Sequence, residues 1–293
     1  MTSDFSIHVP VMPAEVLTWL RPQPGQVLVD GTLGGGGHTK LLAELVGQEG
    51  LVIGVDRDTT AIERAARTLA GCPVQLVESD FCELPDVLER LGLPTVDGIV
   101  LDLGISSDQL LDQDRGFSFD AEGSLDLRFN TEEGEPAWQL VSRLDAEQLA
   151  NIIYEFGEER YSRRIARKIV EQRRRSPIRT AKQLATLVRG CVPRGRGQRI
   201  DPATRTFQAL RIAANGELSS LETALARIPT CLRLGGRVVV ISFHSLEDRL
   251  VKTAFRNDQR YMALTKKPIR PNETEVDRNR RSRSARLRAA ERC

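Results

Sequence analysis

Over the first hundred residues, continuous apolar runs alternate with segments of helical spacing. QVLVD (26–30), LVIGVD (51–56), VQLVESD (74–80) and VDGIVLD (96–102) are short, rich in β-branched residues, and end at or beside an acid. HTKLLAELV, TTAIERAARTLA and LPDVLERLG lie between them, with apolar positions three and four apart. Unbroken apolar runs suit strands covered on both faces. Their alternation with helices predicts βαβ units and right-handed crossovers in a parallel sheet. From about 106 to 205 no comparable strand occurs. That stretch reads as a loop, SSDQLLDQDRGFSFDAEGSLDLRFN, then as helices in AWQLVSRLDAEQLANIIYEFG, SRRIARKIVEQRRR and TAKQLATLVRG. The strand pattern returns at GGRVVVISF (235–243), reached through a helix around FQALRIAANGELSSLETALARI. A chain that leaves a sheet and re-enters it carries an inserted domain. The prediction is an α/β core of residues 1–106 and 211–293, interrupted by a helical insert at 107–210.

The segment VLVDGTLGGGGH places glycines between the first strand and its helix. Glycine lets the backbone approach a ligand closely, and a helix N-terminus offers free N–H groups. That is a nucleotide-type cofactor site at the carboxyl edge of an open sheet. The dinucleotide fingerprint GxGxxG fails in every register, and no Gly-Lys-Ser/Thr phosphate loop is present. Asp30 closes the strand just before the loop, where it would repel a pyrophosphate but suit a cationic ligand. S-adenosylmethionine, with an ammonium beside a sulfonium, fits. Asp56 closes the second strand, 20 residues after Gly36, and an acid there can accept both ribose hydroxyls. Asp80 and Phe81 end the third strand, where an adenine would lie, although Asp80 also reads as a helix cap. Asp102 ends the fourth, next to the expected methyl group. Asp58 and Asp97 read as solvated turn residues.

Charge adds a second signal. The formal net charge is +2, from 42 Lys/Arg and 40 Asp/Glu. That total conceals segregation. Arg163–Arg211 holds 15 basic residues against two acids, and Arg278–Arg292 holds seven against one. The remainder of the chain is therefore strongly acidic, with 13 acids against four Arg between Asp112 and Arg160. A basic block within the insert is an electrostatic footprint for a polyanion, and guanidinium clasps phosphate through paired hydrogen bonds. SRRIARKIVEQRRR alone could be a solvated helix face, with Ile165, Ile169 and Val170 as its apolar stripe. VPRGRGQRIDPATRT reads as a loop with no acid in its first eight residues, which favours nucleic acid. Aromatic content of 5% disfavours a single-strand stacking platform and favours folded RNA read by shape and phosphate.

Other classes fall away. No run approaches the ~20 apolar residues that span a bilayer, and the N-terminal segment lacks the pattern of a secretory signal. The five cysteines include no CxxC pair, so neither a disulfide framework nor a zinc site is expected, no other metal-ligand spacing stands out, and the expected setting is a reducing cytoplasm.

HVPVM, DGTLGGGGHT, GVDRD, LDLGISSDQLLDQDRGFSF, LDLRF, RTFQALRIAAN, SFHSLEDR and NRRSRSARLR occur in this order along nearly the whole chain. With them the sequence resembles the bacterial N4-cytosine methyltransferases of 16S ribosomal RNA, the RsmH or MraW family. The resemblance implies a class I, Rossmann-like methyltransferase core with a mostly parallel seven-stranded sheet and an inserted all-helical substrate-recognition domain. It implies S-adenosylmethionine-dependent methylation of the exocyclic amine of a cytidine in the decoding region. The partner would be 16S rRNA, within the small ribosomal subunit. Family contacts to the cofactor fall on Gly36, Gly37, His38, Asp56, Phe81, Asp102 and Gln109. One departure is that many amino-methyltransferases carry a Pro-Pro-aromatic motif after the fourth strand, where this chain reads DLGISS.

Methylating a cytosine amine requires an acceptor for an amine hydrogen and in-line alignment with the methyl group. Asp102, or carbonyls near Gly104–Ser106, could be that acceptor. His244 could hold the base or take the proton, or be a packed structural histidine. Phe117, Phe119 and Phe243 are candidates for stacking on a flipped base or for core packing. Arg194, Arg196, Arg199, Arg281 and Arg283 are the candidate RNA contacts. A DNA or protein methyltransferase and a non-catalytic RNA-binding factor remain open at this point, as does the oligomeric state, a homodimer being one option.

Overall fold

The computed structural model describes residues 9–193 and 200–293. They form two compact units, one reaching to Ser107 and resuming at Leu218–Cys293, the other Asp108–Glu217.

The first unit begins α1 (Pro13–Leu20), β1 (Val27–Asp30), α2 (Gly37–Val46), β2 (Leu51–Asp56), α3 (Thr59–Thr68), β3 (Val74–Glu78), α4 (Leu84–Arg90) and β4 (Val96–Asp102). Helix α5 (Ser107–Leu111) starts on the last residue of the first unit's opening segment, and the second unit carries the rest of it with α6 (Ala137–Arg143), α7 (Ala146–Gly157), α8 (Ser162–Arg175), α9 (Ala181–Cys191) and α10 (Thr204–Asn215). The first unit then resumes with α11 (Glu217–Cys231), β5 (Leu232–Ser242), α12 (Ser245–Asn257), β6 (Tyr261–Ala263), α13 (Glu273–Arg278) and β7 (Arg286–Arg292).

The sheet has seven strands in the order β3-β2-β1-β4-β5-β7-β6, parallel except where β7 joins β5 and β6. This is the doubly wound class I methyltransferase arrangement that the resemblance implied. Alternation along the strands fills two layers. Val29, Ile53, Leu101 and Val240 pack with Leu88 of α4, Leu225 of α11 and Phe255 of α12. Leu28, Val52, Val100 and Val239 pack on the other face with Leu20 of α1 and Leu42 of α2.

Two features differ from the sequence reading. The helix expected to lead back to the sheet is two helices, because Gly216 takes a left-handed φ of 63° and caps α10. The structural division accordingly falls at Asp108 and Glu217, beside the expected 107 and 210. More instructive is β7, a strand made from the Arg-rich tail. Leu287 and Ala289 enter the core, while Arg288, only 6% exposed, donates to Asp248 of α12 at 2.7 and 3.3 Å. Arg286 lies 3.5 Å from the same carboxylate. Part of the tail's positive charge is thus neutralised inside the sheet. Asp248→Ala leaves Arg288 buried without its carboxylate, and should cost about 3 kcal/mol, read as a lowered melting temperature. A melt like that of the wild type would show that the pair is not needed.

In the second unit, α7 and α9 start with reciprocal capping boxes, Asp145 with Gln148 and Thr180 with Gln183. Ile165 and Ile169 of α8 are fully buried, and Val170 is half-buried. Among the described residues, no helix is long and apolar enough to cross a membrane.

Candidate functional site

Asp56, Asp30 and Asp102 stand at the carboxyl ends of adjacent strands β2, β1 and β4. The connection after β1 runs to α2 on one side of this edge, the place where open α/β sheets bind ligands. The loop is seated by main-chain bonds, Gly31 to the Val100 carbonyl at 2.9 Å and Leu33 to the Val55 carbonyl at 2.9 Å. Gly31 sits so tightly that a Cβ would lie 2.5 Å from Leu101 Cδ2. Gly36 adopts a left-handed φ of 78° and caps α2 without a side chain, so the first-turn amides of that helix have no side-chain acceptor at the cap. Gly37 has a different reason to be glycine. A Cβ there would meet Pro10 at 2.9 Å, so it seats the segment just N-terminal to α1.

Asp30 lies beneath this loop rather than on its surface. It is fully buried and accepts from Thr39 Oγ1 at 2.7 Å and from the Thr32 amide at 3.2 Å. Burial raises its pKa against the pull of His38, Thr39 and the Thr32 amide. Thr32 Oγ1 in turn accepts from the Asp102 amide at 2.6 Å, linking the ends of β1 and β4.

Asp56 uses one oxygen for the Gly34 amide at 2.8 Å and the other for the Asp58 amide at 2.9 Å. Burial pushes it up to about 6, against those two amides. Each oxygen keeps a further lone pair for a hydroxyl donor. Asp58 is not a solvated turn residue. It is 4% exposed and caps α3 through the Thr60 amide. Asp97 likewise accepts from the Val27 amide at 2.7 Å and faces Arg233 at 2.8 Å.

Asp102 and His38 form the buried centre. His38 Nε2 lies 3.5 Å from Asp102 Oδ2. Both Asp102 Oδ1 and His38 Nε2 are buried with no hydrogen-bond partner among the described residues. Burial opposes the imidazolium, but Asp102, Asp30 and Glu275 outweigh it and raise the His38 pKa. Unpaired buried acceptors and donors cost free energy unless a ligand meets them. His38 Nε2 still faces Asp102 Oδ2, so it is Asp102 Oδ1 that marks where a polar ligand group belongs.

After β4, Gly104 takes φ 102°, and a Cβ on it would lie 3.4 Å from Phe243 Cδ2. Arg281 donates to the Ile105 carbonyl and, at 3.0 Å, to Ser107 Oγ, holding this loop. Arg283 is exposed. Asp80 accepts from the Cys82 amide and Ser220 Oγ, both at 2.9 Å, and lies 3.3 Å from Arg57. It is a cap, and Phe81 opens the turn that follows. His244 is the N-cap of α12, with Nδ1 3.4 Å from the Glu247 amide and Nε2 3.0 Å from Glu247 Oε1. Phe117 stacks on Phe129 and Phe119 packs edge-on to Phe207, both within the second unit. Gln109 lies in α5 of that unit. Arg194, Arg196 and Arg199 fall outside the described residues. Sequence reading missed Thr32 and Thr39, whose hydroxyls fix Asp102 and Asp30. Their nearness to the glycine loop was the available signal.

Residues 5–293 match the model of the MraW methylase family. The chain is 49% identical to the protein of Geotalea uraniireducens named ribosomal RNA small subunit methyltransferase H, over 99% of each chain. It is 48% identical to the protein of that name from Syntrophotalea carbinolica, over 100% of each. With the one from Rhodopirellula baltica it shares 49% identity, over 97% of this chain and 91% of the other.

Proposed function

The chain belongs to the MraW methylase family, and from that premise we propose that it methylates small-subunit ribosomal RNA with S-adenosylmethionine, at the exocyclic N4 amine of a cytidine in the decoding region. The observation that carries this reading is the buried, unpartnered Oδ1 of Asp102 beside His38, at the ligand-binding edge of the sheet. When bound, the cofactor would supply an electrophilic methyl group on a sulfonium, whose C–S bond breaks as the C–N bond forms and which leaves as a neutral thioether. Asp56 would accept the ribose hydroxyls, the glycine loop and the first turn of α2 would admit the cofactor's amino-acid part, and Phe81 would border the adenine. The cytosine amine is a weak nucleophile because its lone pair is delocalised into the ring. Asp102 Oδ1 accepts an amine hydrogen, which draws the nitrogen toward tetrahedral geometry and receives the proton released on transfer. His38 faces the other oxygen and stabilises the carboxylate until then. Asp30 acts through Thr39 and Thr32 as a positioning residue. Phe243 and the Gly104–Ser106 loop, pinned by Arg281, form the wall for the base, with His244 holding that wall through its cap.

The insert supplies RNA affinity through particular arginines within its basic block, Arg194, Arg196 and Arg199 among them, in the cytoplasm where the ribosome is assembled. Replacing Arg194, Arg196 and Arg199 with Gln should weaken RNA binding and flatten its salt dependence, by about 0.9 in log–log slope per lost phosphate contact. An unchanged slope excludes these arginines. The decisive assay supplies labelled S-adenosylmethionine with naked 16S rRNA or assembled small subunits and identifies the nucleoside by mass spectrometry. N4-methylcytidine is expected, and label in any other nucleoside overturns the assignment.

A further inference from the structure

The second unit contains a cleft of about 860 Å³ between α8, α9 and the residues that join them. Arg164, Arg167 and Lys168 line one side, with Lys182 and Thr186 on the other. Arg164 and Arg167 are one helical turn apart, so they share a face of α8.

The charges around this cleft are not equivalent. Lys168 is paired with Glu171 at 3.0 Å, and Lys182 with Glu122 at 2.5 Å. Glu171 also holds Arg175 at 3.0 Å. Both acids of the cleft are therefore engaged. Arg164 and Arg167 have no carboxylate partner among the described residues, and Arg167 makes only a bond to the Arg163 carbonyl at 3.2 Å. Two like charges on one helix face repel each other, and an anion placed between them removes that cost.

The remaining lining indicates which anion. Among the described residues no Phe, Tyr or Trp borders the cleft, so its lining offers nothing on which a base could stack. Thr186 Oγ1 donates to the Lys182 carbonyl at 2.8 Å and keeps lone pairs for a sugar hydroxyl, while the side-chain N–H groups of Gln172 and Gln183 are donors suited to phosphate oxygens, Gln183 Oε1 being taken by the Arg179 and Thr180 amides. The volume lies toward the upper end of small-molecule pockets, about 300–1,000 Å³, which leaves room for more than one sugar–phosphate unit.

We propose that this cleft is an RNA-backbone site, holding successive phosphates of one ribosomal RNA strand through the forks of Arg164 and Arg167. It rests on the RNA-methylating reading given above and adds to it a contact surface that reads no base. Such contacts fix register and orientation without carrying sequence information, so the site supplies affinity for the surrounding RNA while the target nucleotide is read elsewhere.

Three variants test it. Arg164→Gln with Arg167→Gln removes the forks from exposed positions. Gly190→Phe fills the cleft without changing charge, since a Cβ on Gly190 meets nothing within 4 Å. Arg163→Gln with Arg174→Gln removes the same charge from α8 outside the lining. Binding of a decoding-region 16S rRNA transcript is measured across a salt series, with cofactor affinity and saturated methylation rate alongside. The Arg164/Arg167 pair should weaken RNA binding at least tenfold and lower the log–log salt slope by about 1.4 to 1.8. Gly190→Phe should weaken binding, and the Arg163/Arg174 pair should leave it within a few-fold. Cofactor affinity and the rate at saturating RNA should not move in any of them. Equal losses from both arginine pairs, or wild-type binding by Gly190→Phe, overturn the cleft. Methylation of a different nucleoside with this binding pattern intact would overturn the function proposed above and leave the cleft standing. Absence of RNA binding by the wild type overturns both.

Discussion

Asp102→Asn should reduce methyl transfer by about 10²- to 10⁴-fold at saturating cofactor and RNA, the range spanned by losing a positioned proton acceptor. The substitution keeps the shape of the side chain. It also keeps the main-chain bond from the residue 102 amide to Thr32 Oγ1 at 2.6 Å, so the end of β4 stays in place. It removes the negative charge that Oδ1 presents from a buried, unpartnered position. An asparagine oxygen can accept a hydrogen bond from the amine but cannot take its proton at neutral pH, and His38 loses the ion-pair partner 3.5 Å away. Single-turnover rates on preloaded enzyme isolate the step, and melting temperature checks the fold. A rate within threefold of wild type would remove Asp102 as the acceptor and turn attention to the carbonyls of the Gly104–Ser106 loop.

The parts of this site that were legible in the sequence are those written into local pattern. Four apolar runs ending near acids placed Asp30, Asp56 and Asp102 at one sheet edge, because parallel strands in a doubly wound sheet align their carboxyl ends. What each acid does there was not legible. Asp30 looked like a ligand contact, yet its oxygens are used by Thr39 and Thr32. Burial of a carboxylate depends on which side chains close over it, and spacing does not carry that. β7 was hidden because its alternation is written with Arg, which reads as solvated until Asp248 of α12 is placed beside Arg286 and Arg288. His244 was masked in another way. Histidine is a rare N-cap, so FHSLED left chemistry and a structural role both open; the cap on α12 was signalled only by Glu247 three residues on, at capping-box spacing. Gly37 is glycine because of Pro10, a contact with the segment preceding α1 that no local window contains.

Asp56→Ala should weaken S-adenosylmethionine binding by about two to four orders of magnitude. In the reading proposed here the carboxylate accepts two ribose hydroxyls. Hydrogen bonds to a charged group contribute about 1.5–3 kcal/mol each, and every 1.4 kcal/mol is about tenfold in affinity. The Gly34 amide, 2.8 Å from Asp56 Oδ2, also loses its acceptor, which loosens the loop that must approach the cofactor. Asp56→Asn keeps one acceptor oxygen and should fall between the two. The pH dependence gives an independent check. Burial holds Asp56 at about 6, above its ordinary value of 3.8. For the chain alone, a raised carboxyl pKa means that this group's ionisation costs stability as pH rises from 3.8 through about 6. For the cofactor the sign reverses, because the ribose hydroxyls need the ionised form. Affinity measured by calorimetry should therefore be flat above about pH 6.5 and fall toward tenfold per unit below about pH 6. Asp56→Asn should lose that segment of the profile. A wild-type affinity that stays constant from pH 5 to 7.5, or an Asp56→Asn profile that still bends near 6, would show that the cofactor does not depend on this carboxylate.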